Sequence, residues 1–222
     1  MKPLNKINIK WSPGFAYAIG LLATDGNLSP DGRHVIFTSK DLELVNKFQK
    51  SLGCNFHVGI KANGIVKVKK YYVVQIGDVN FYRFLLTIGL MPKKSFIIGQ
   101  VKVPKKYFFD FLRGDFDGDG SFFSYFDPRW KSSFMFYLSF CSASFKHIKW
   151  IRKSNNKLLN IKGHISKSES NSAYQLKYAK TEALKLIGKL YYNEDAVCLS
   201  RKRIKIEQAI ALNNKLKAAV AK

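Results

Sequence analysis

One unusual stretch occurs twice in this chain, and the repetition limits the folds open to it. The first copy reads Ala18-Ile19-Gly20-Leu21-Leu22-Ala23-Thr24-Asp25-Gly26. The second reads Leu112-Arg113-Gly114-Asp115-Phe116-Asp117-Gly118-Asp119-Gly120, which sets Gly20 and Gly114 94 positions apart. Each copy is a helix-like run with a glycine in its middle and Asp-Gly at its end. Glycine inside a helix costs about 0.5–1 kcal/mol against alanine, a cost a helix accepts where another backbone must come very close. Equivalent glycines predict two helices packed on each other through Gly20 and Gly114. Their C-terminal ends then bring Asp25 and Asp119 together.

The flanking patterns repeat as well. Ser12-Pro13 opens a helix, with Ser as N-cap and Pro at the first helical position. Residues 26–33 carry turn residues, and residues 34–38 alternate as a strand, with Val35 and Phe37 on one face. Residues 41–52 form an amphipathic helix stopped by Gly53. Strands follow near 56–61 and 71–76, then a helix over 81–90. The second half runs through a helix over 105–117, strands over 122–129 and 133–141, and a helix over 145–159. Strands over 162–167 and 174–178, a helix over 181–191 and a basic C-terminal helix from 199 to about 216 complete it. The fold class is α+β, a unit of helix, two strands, helix, two strands, helix occurring twice. The halves divide into residues 1–101 and 102–222.

Charge then selects the partner. Lys and Arg number 38 against 15 Asp and Glu, a net charge of +23, which attracts nucleic acid or an anionic membrane. No run is apolar enough to span a bilayer and no signal-peptide core opens the chain. Nucleic acid is therefore the leading partner, and the expectation is an intracellular protein, not a secreted or membrane one. Cys54, Cys141 and Cys198 are scattered and make neither a disulfide framework nor a zinc pattern.

The few acids are placed tellingly. Asp110, Asp115, Asp117 and Asp119 fall within ten residues, whereas residues 44–77 hold six Lys and no acid. Asp115, Asp117, Asp119 and Gly120 imitate the start of a helix–loop–helix calcium loop, but its closing Glu is absent: that place holds Phe126, inside an apolar strand. Carboxylates clustered in a cationic surface fit a divalent cation, and so metal-dependent chemistry on a polyanion.

At this point the second copy, Phe111-Leu112-Arg113-Gly114-Asp115-Phe116-Asp117-Gly118-Asp119-Gly120-Ser121-Phe122, resembles the motif of single-chain LAGLIDADG homing endonucleases. The first copy departs from it in having Ala23 where the family usually has an acid. Leu90-Met91-Pro92-Lys93-Lys94-Ser95 and Leu199-Ser200-Arg201-Lys202-Arg203, which close the two halves, are also similar to family segments. The resemblance implies two pseudo-symmetric αββαββα units with the motif helices at their interface. Two antiparallel sheets would form a saddle over double-stranded DNA. It implies a monomeric nuclease that cuts both strands of a long, asymmetric site and leaves short 3′ overhangs. Asp25 and Asp119 would hold Mg²⁺, with Mn²⁺ substituting and Ca²⁺ binding without supporting cleavage. Lys94 and Lys202 would orient water or neutralise the transition state. A cleavage-deficient relative, acting on intron RNA as a maturase or on DNA as a regulator, is the alternative.

DNA contacts are then expected on the strand faces opposite the Phe/Val stripe. In the first half these are Arg33, His34, Ile36, Thr38, Lys40, Val73 and Gln75, with Lys67, Lys69 and Lys70 for phosphates. In the second they are Tyr125, Arg129, Lys131, Met135, Tyr137, Ser139, Gln175 and Lys177.

Overall fold

The computed structural model describes residues 5–63, 66–130, 133–168 and 173–220. Its first helix, α1 (Pro13–Thr24), begins where Ser12 accepts the Phe15 amide, and it buries nine consecutive residues from Phe15 to Ala23. A helix apolar on all sides must be enclosed on all sides. Here α4 (Phe108–Asp119) supplies one wall.

Around each of these helices the chain builds the same sheet. In the first half β1 (Gly26–Leu28), β2 (His34–Ser39), β3 (Val58–Asn63) and β4 (Val66–Gly77) lie in the order β1-β2-β4-β3. In the second, β5 (Ser121–Phe126), β6 (Phe134–Ser142), β7 (His164–Lys167) and β8 (Tyr174–Ala179) lie in the order β5-β6-β8-β7. All pairings are antiparallel. Identical strand order in both halves is the structural form of the sequence repeat. Helices α2 (Leu42–Leu52) and α3 (Val79–Thr87) belong to the first half. The second has α5 (Phe145–Leu159), α6 (Lys180–Leu190) and α7 (Ser200–Val220).

Register places the alternating residues as expected. Val35, Phe37, Val74 and Ile76 are buried, and so are Phe134, Phe136, Leu138, Phe140, Leu176 and Tyr178. On the opposite faces Ile36 pairs with Gln75 and Thr38 with Val73, while Tyr125 pairs with Met135 and Ser139 with Lys177. Among the described residues the hydrophobic core forms two clusters, one per half. The first also takes in Phe111 and Leu199 from beyond the midpoint.

Several boundaries differ from the sequence expectation. Residues 26–28, read as turn, form β1, a strand too short to show alternation. β4 starts five residues before the expected 71, because its lysine-rich beginning still pairs with β3. α3 starts before residue 81 because Asp78 caps it, accepting the Phe81 amide at 2.9 Å. The helix expected from 105 opens as a 3₁₀ turn, Lys105–Tyr107, and becomes α-helical at Phe108. Among the described residues no helix is long and apolar enough to cross a membrane.

Candidate active site

The contact between α1 and α4 is backbone on backbone. A Cβ added at Gly20 would lie 2.1 Å from the Phe111 carbonyl oxygen, and one at Gly114 would lie 2.1 Å from that of Tyr17. The approach continues to the helix ends: a Cβ at Gly118 would meet Thr24 Oγ1 at 2.1 Å and Asp25 Oδ2 at 3.1 Å. Asp25 and Asp119 therefore open into one cleft of about 660 Å³, lined also by Thr38, Ser39, Lys40, Asp41, Tyr71, Asp117 and Arg201.

These two aspartates differ from the other acids of the motif helices. Asp110 pairs with Arg113 at 2.8 Å, and Asp115 with His147 at 2.9 Å. Asp117 accepts the Tyr17 hydroxyl at 2.8 Å and the Leu199 amide at 2.6 Å. Among the described residues, Asp25 and Asp119 accept no hydrogen bond and join no ion pair. Burial, and then the charge of Asp119, raise the Asp25 carboxyl to about 7. Asp119 is open to the cleft but otherwise enclosed. Desolvation, followed by the charge of Asp115, raises its pKa too. Burial alone would depress His147, but its bond to Asp115 and that residue's charge outweigh it and raise the imidazole.

The departure at Ala23 has a structural reason. Its counterpart Asp117 receives the Leu199 amide where α7 begins. The corresponding segment of the first half forms only a 3₁₀ turn, Lys94–Phe96, so no long helix starts there for an acid to cap.

Lys94 and Lys202 are buried and do the same work in each half. Lys94 Nζ donates to the Thr24 carbonyl at 3.2 Å and to that of Gly26. Lys202 Nζ donates to the carbonyls of Phe116, Asp117 at 2.9 Å and Gly120 at 2.7 Å. Each ammonium closes the C-terminal end of a motif helix, where carbonyls lack partners and the helix dipole is negative. Burial pulls both down to about 8, against the raising charges of Asp25 and Asp119 on Lys94 and chiefly of Asp117 on Lys202. An ammonium has three protons to donate. Lys202 commits all of them to carbonyls, while Lys94 commits two.

Residues 13–89 match the family described as LAGLIDADG-like domain. Among solved structures, the meganuclease I-SmaMI bound to uncleaveable DNA superposes with a TM-score of 0.61 at 14% identity, covering 94% of this chain and 92% of its own. The chain has the LAGLIDADG fold. I-DmoI in complex with DNA and Mn shares it (TM-score 0.52, 14% identity, 82% of this chain and 98% of its own). So does full-length DUF199/WhiA from Thermatoga maritima (TM-score 0.51, 16% identity, 93% of this chain and 70% of its own). No curated protein matches the chain significantly.

On this LAGLIDADG scaffold the expected contact residues fall into distinct situations. Ile36, Thr38, Val73, Gln75, Tyr125, Met135, Tyr137, Gln175 and Lys177 lie on the open sheet faces. Arg33 is exposed just before β2, and Lys40 lines the cleft. Lys70 is exposed on β4. His34 is engaged by Asp31, and Arg129 by Asp127 at 3.0 Å. Ser139 is buried and its hydroxyl bonds that of Ser121 at 2.7 Å. The side chains of Lys67 and Lys69, and all of Lys131, lie outside the described residues. Ser39 and Ser142 each accept an amide two residues on, from Asp41 and Ser144. Arg201 in the cleft falls in the segment noted for its likeness to the family, whereas Tyr71 and Asp41 beside it, and Tyr17 and His147 behind it, were not expected there. No spacing signal marks them, because each meets its partner only through the fold.

Proposed function

We propose that this protein is a site-specific, metal-dependent DNA endonuclease that breaks both strands of a long, asymmetric duplex and leaves short 3′ overhangs. The observation that carries the reading is the unpartnered pair Asp25 and Asp119, one from each motif helix, facing one cleft in a chain of net charge +23. Two carboxylates held close with raised pKa values are relieved by a divalent cation. Among the described residues no three His, Cys, Asp or Glu side chains converge on a closed metal site. That donor set fits Mg²⁺, or Mn²⁺ in its place: such an ion takes one or two carboxylates and completes its shell with phosphate and water. Bound there, such an ion would supply Lewis-acid chemistry for activating water and stabilising a leaving oxygen. Asp25 and Asp119 would hold it, and Lys94 and Lys202 fix the helix ends that carry them. The open faces of the two sheets form a saddle over the major groove, and residues 1–101 and 102–222 serve as the two halves of an intracellular monomer.

The likeness to WhiA supports a second reading, a binding module acting on DNA or intron RNA, since the fold is shared by proteins not all described as nucleases. The test is incubation with a randomised duplex library and Mg²⁺ beside Asp119→Asn. Recurrent cut ends around one long motif, lost in the variant, are the expected result. Recovery of bound but uncut duplex, the same in Mg²⁺ and Ca²⁺, would favour the binding module.

A further inference from the structure

The open face of the second sheet carries an aromatic ladder, and among the described residues the first sheet has no such stack. Tyr137 stacks against Phe123, with centroids 5.2 Å apart and planes 17° apart, and against Tyr125 at 6.3 Å and 7°. Phe123 and Tyr125 are 38% and 40% exposed. The neighbouring Tyr137 raises the pKa of the Tyr125 hydroxyl. Counted from the glycine that ends each motif, the pair matching Phe123 and Tyr137 in the first half is Ser29 and His34, both polar.

The geometry of the ladder selects its ligand. Side chains stand roughly perpendicular to a sheet. Rings stacked sideways along it therefore spend their faces on one another and present edges outward. A platform for single-stranded bases needs free ring faces. A wall of ring edges instead offers apolar contact through the Phe123 edge and the ring carbons beside the Tyr125 and Tyr137 hydroxyls, and in the major groove the one apolar base feature is the C5 methyl of thymine. Phe123 and Tyr125 lie four and six residues beyond Asp119. At roughly 3.4 Å per strand residue and a similar rise per base pair, that is about four to six pairs from the cleavage centre.

We propose that the Phe123–Tyr137–Tyr125 ladder reads thymine methyls about four to six base pairs from the centre of the second half-site, while the matching places of the first half-site meet polar groups. The inference rests on the duplex-DNA reading above.

The test uses the full chain and a duplex recovered from the library. Thymines in that window of the second half-site are replaced by deoxyuridine, which removes only the methyl, and binding is measured in Ca²⁺. Burying one methyl is worth about fourfold in affinity, so two replacements weaken binding by about fifteenfold. The same replacement at the matching positions of the first half-site has little effect. In Phe123→Ser, whose side chain is exposed, the penalty for the two replacements falls from about fifteenfold to about fourfold. Tight binding of a selected duplex with no deoxyuridine effect, or a window without thymine, overturns the inference and leaves the endonuclease reading standing. Retention of single-stranded RNA with no duplex selected overturns both.

Discussion

Asp25 and Asp119 hold the same place in two copies of one helix, and their raised pKa values have a consequence for stability. The folded carboxyl of Asp25 titrates near 7, above its ordinary 3.8. Between those values the folded protein binds more protons than the unfolded chain, so stability rises as pH falls through that window. Above pH 7 the full cost of the buried charge is present. In metal-free buffer Asp25→Asn should therefore raise stability at pH 8 by about 0.5–2 kcal/mol. Thermal unfolding should show the gain shrinking between pH 7 and pH 4, while cleavage stays at background throughout. A loss of stability at pH 8 would mean that the carboxylate has a partner the fold does not reveal. Lys202 is the opposite case. Lys202→Met leaves the carbonyls of Phe116, Asp117 and Gly120 without their donor. It should cost about 1–3 kcal/mol, read as a lowered urea midpoint.

At the scale of elements, the α1–α4 contact decides whether the two carboxylates meet at all. Gly114→Ala places a methyl 2.1 Å from a backbone oxygen that cannot swing aside. The helices must separate, at about 3 kcal/mol or more, and cleavage should fall with stability. Gly188, exposed on α6, has nothing within 4 Å of an added Cβ. Gly188→Ala should instead stabilise by about 0.5–1 kcal/mol, which makes the pair a matched control in one denaturation series. This contact was legible in the sequence because glycine has a cost in a helix interior and the cost was borne twice. The same repetition exposed Asp25 and Asp119, since a lone Asp-Gly reads as a turn. β1 was not legible: three residues, Gly-Asn-Leu, carry no period. Nor was the bond from Tyr17 to Asp117, because residues 100 positions apart leave no local trace. Lys94 and Lys202 could be placed by their resemblance to family segments. Their bonding to carbonyls depends on how deeply the chain buries them, which spacing does not encode.

For the whole molecule, the question is how a chain of +23 presents that charge. Many of its acids are spent inward. Asp78 accepts the amides of Lys6, Ile7 and Phe81, Glu182 those of Lys162 and Gly163, and three motif acids are bound within the helix layer. The outer surface is thus more cationic than composition alone implies. Each phosphate neutralised releases counterions, so log affinity should fall linearly with log salt at about −0.9 per contact. A saddle making some six to ten phosphate contacts should lose roughly 10³–10⁵ in affinity between 50 and 200 mM salt. Equilibrium binding of the selected duplex across that range measures the slope. A slope near zero would remove the cationic surface from the DNA interface and sink the saddle reading. The methyl contacts proposed for the aromatic ladder behave differently, because burial of an apolar group releases no counterions. The affinity ratio between thymine and deoxyuridine duplexes should therefore stay constant while both affinities fall together. One salt titration then separates the proposed electrostatic contacts with DNA from the side chains proposed to choose the site.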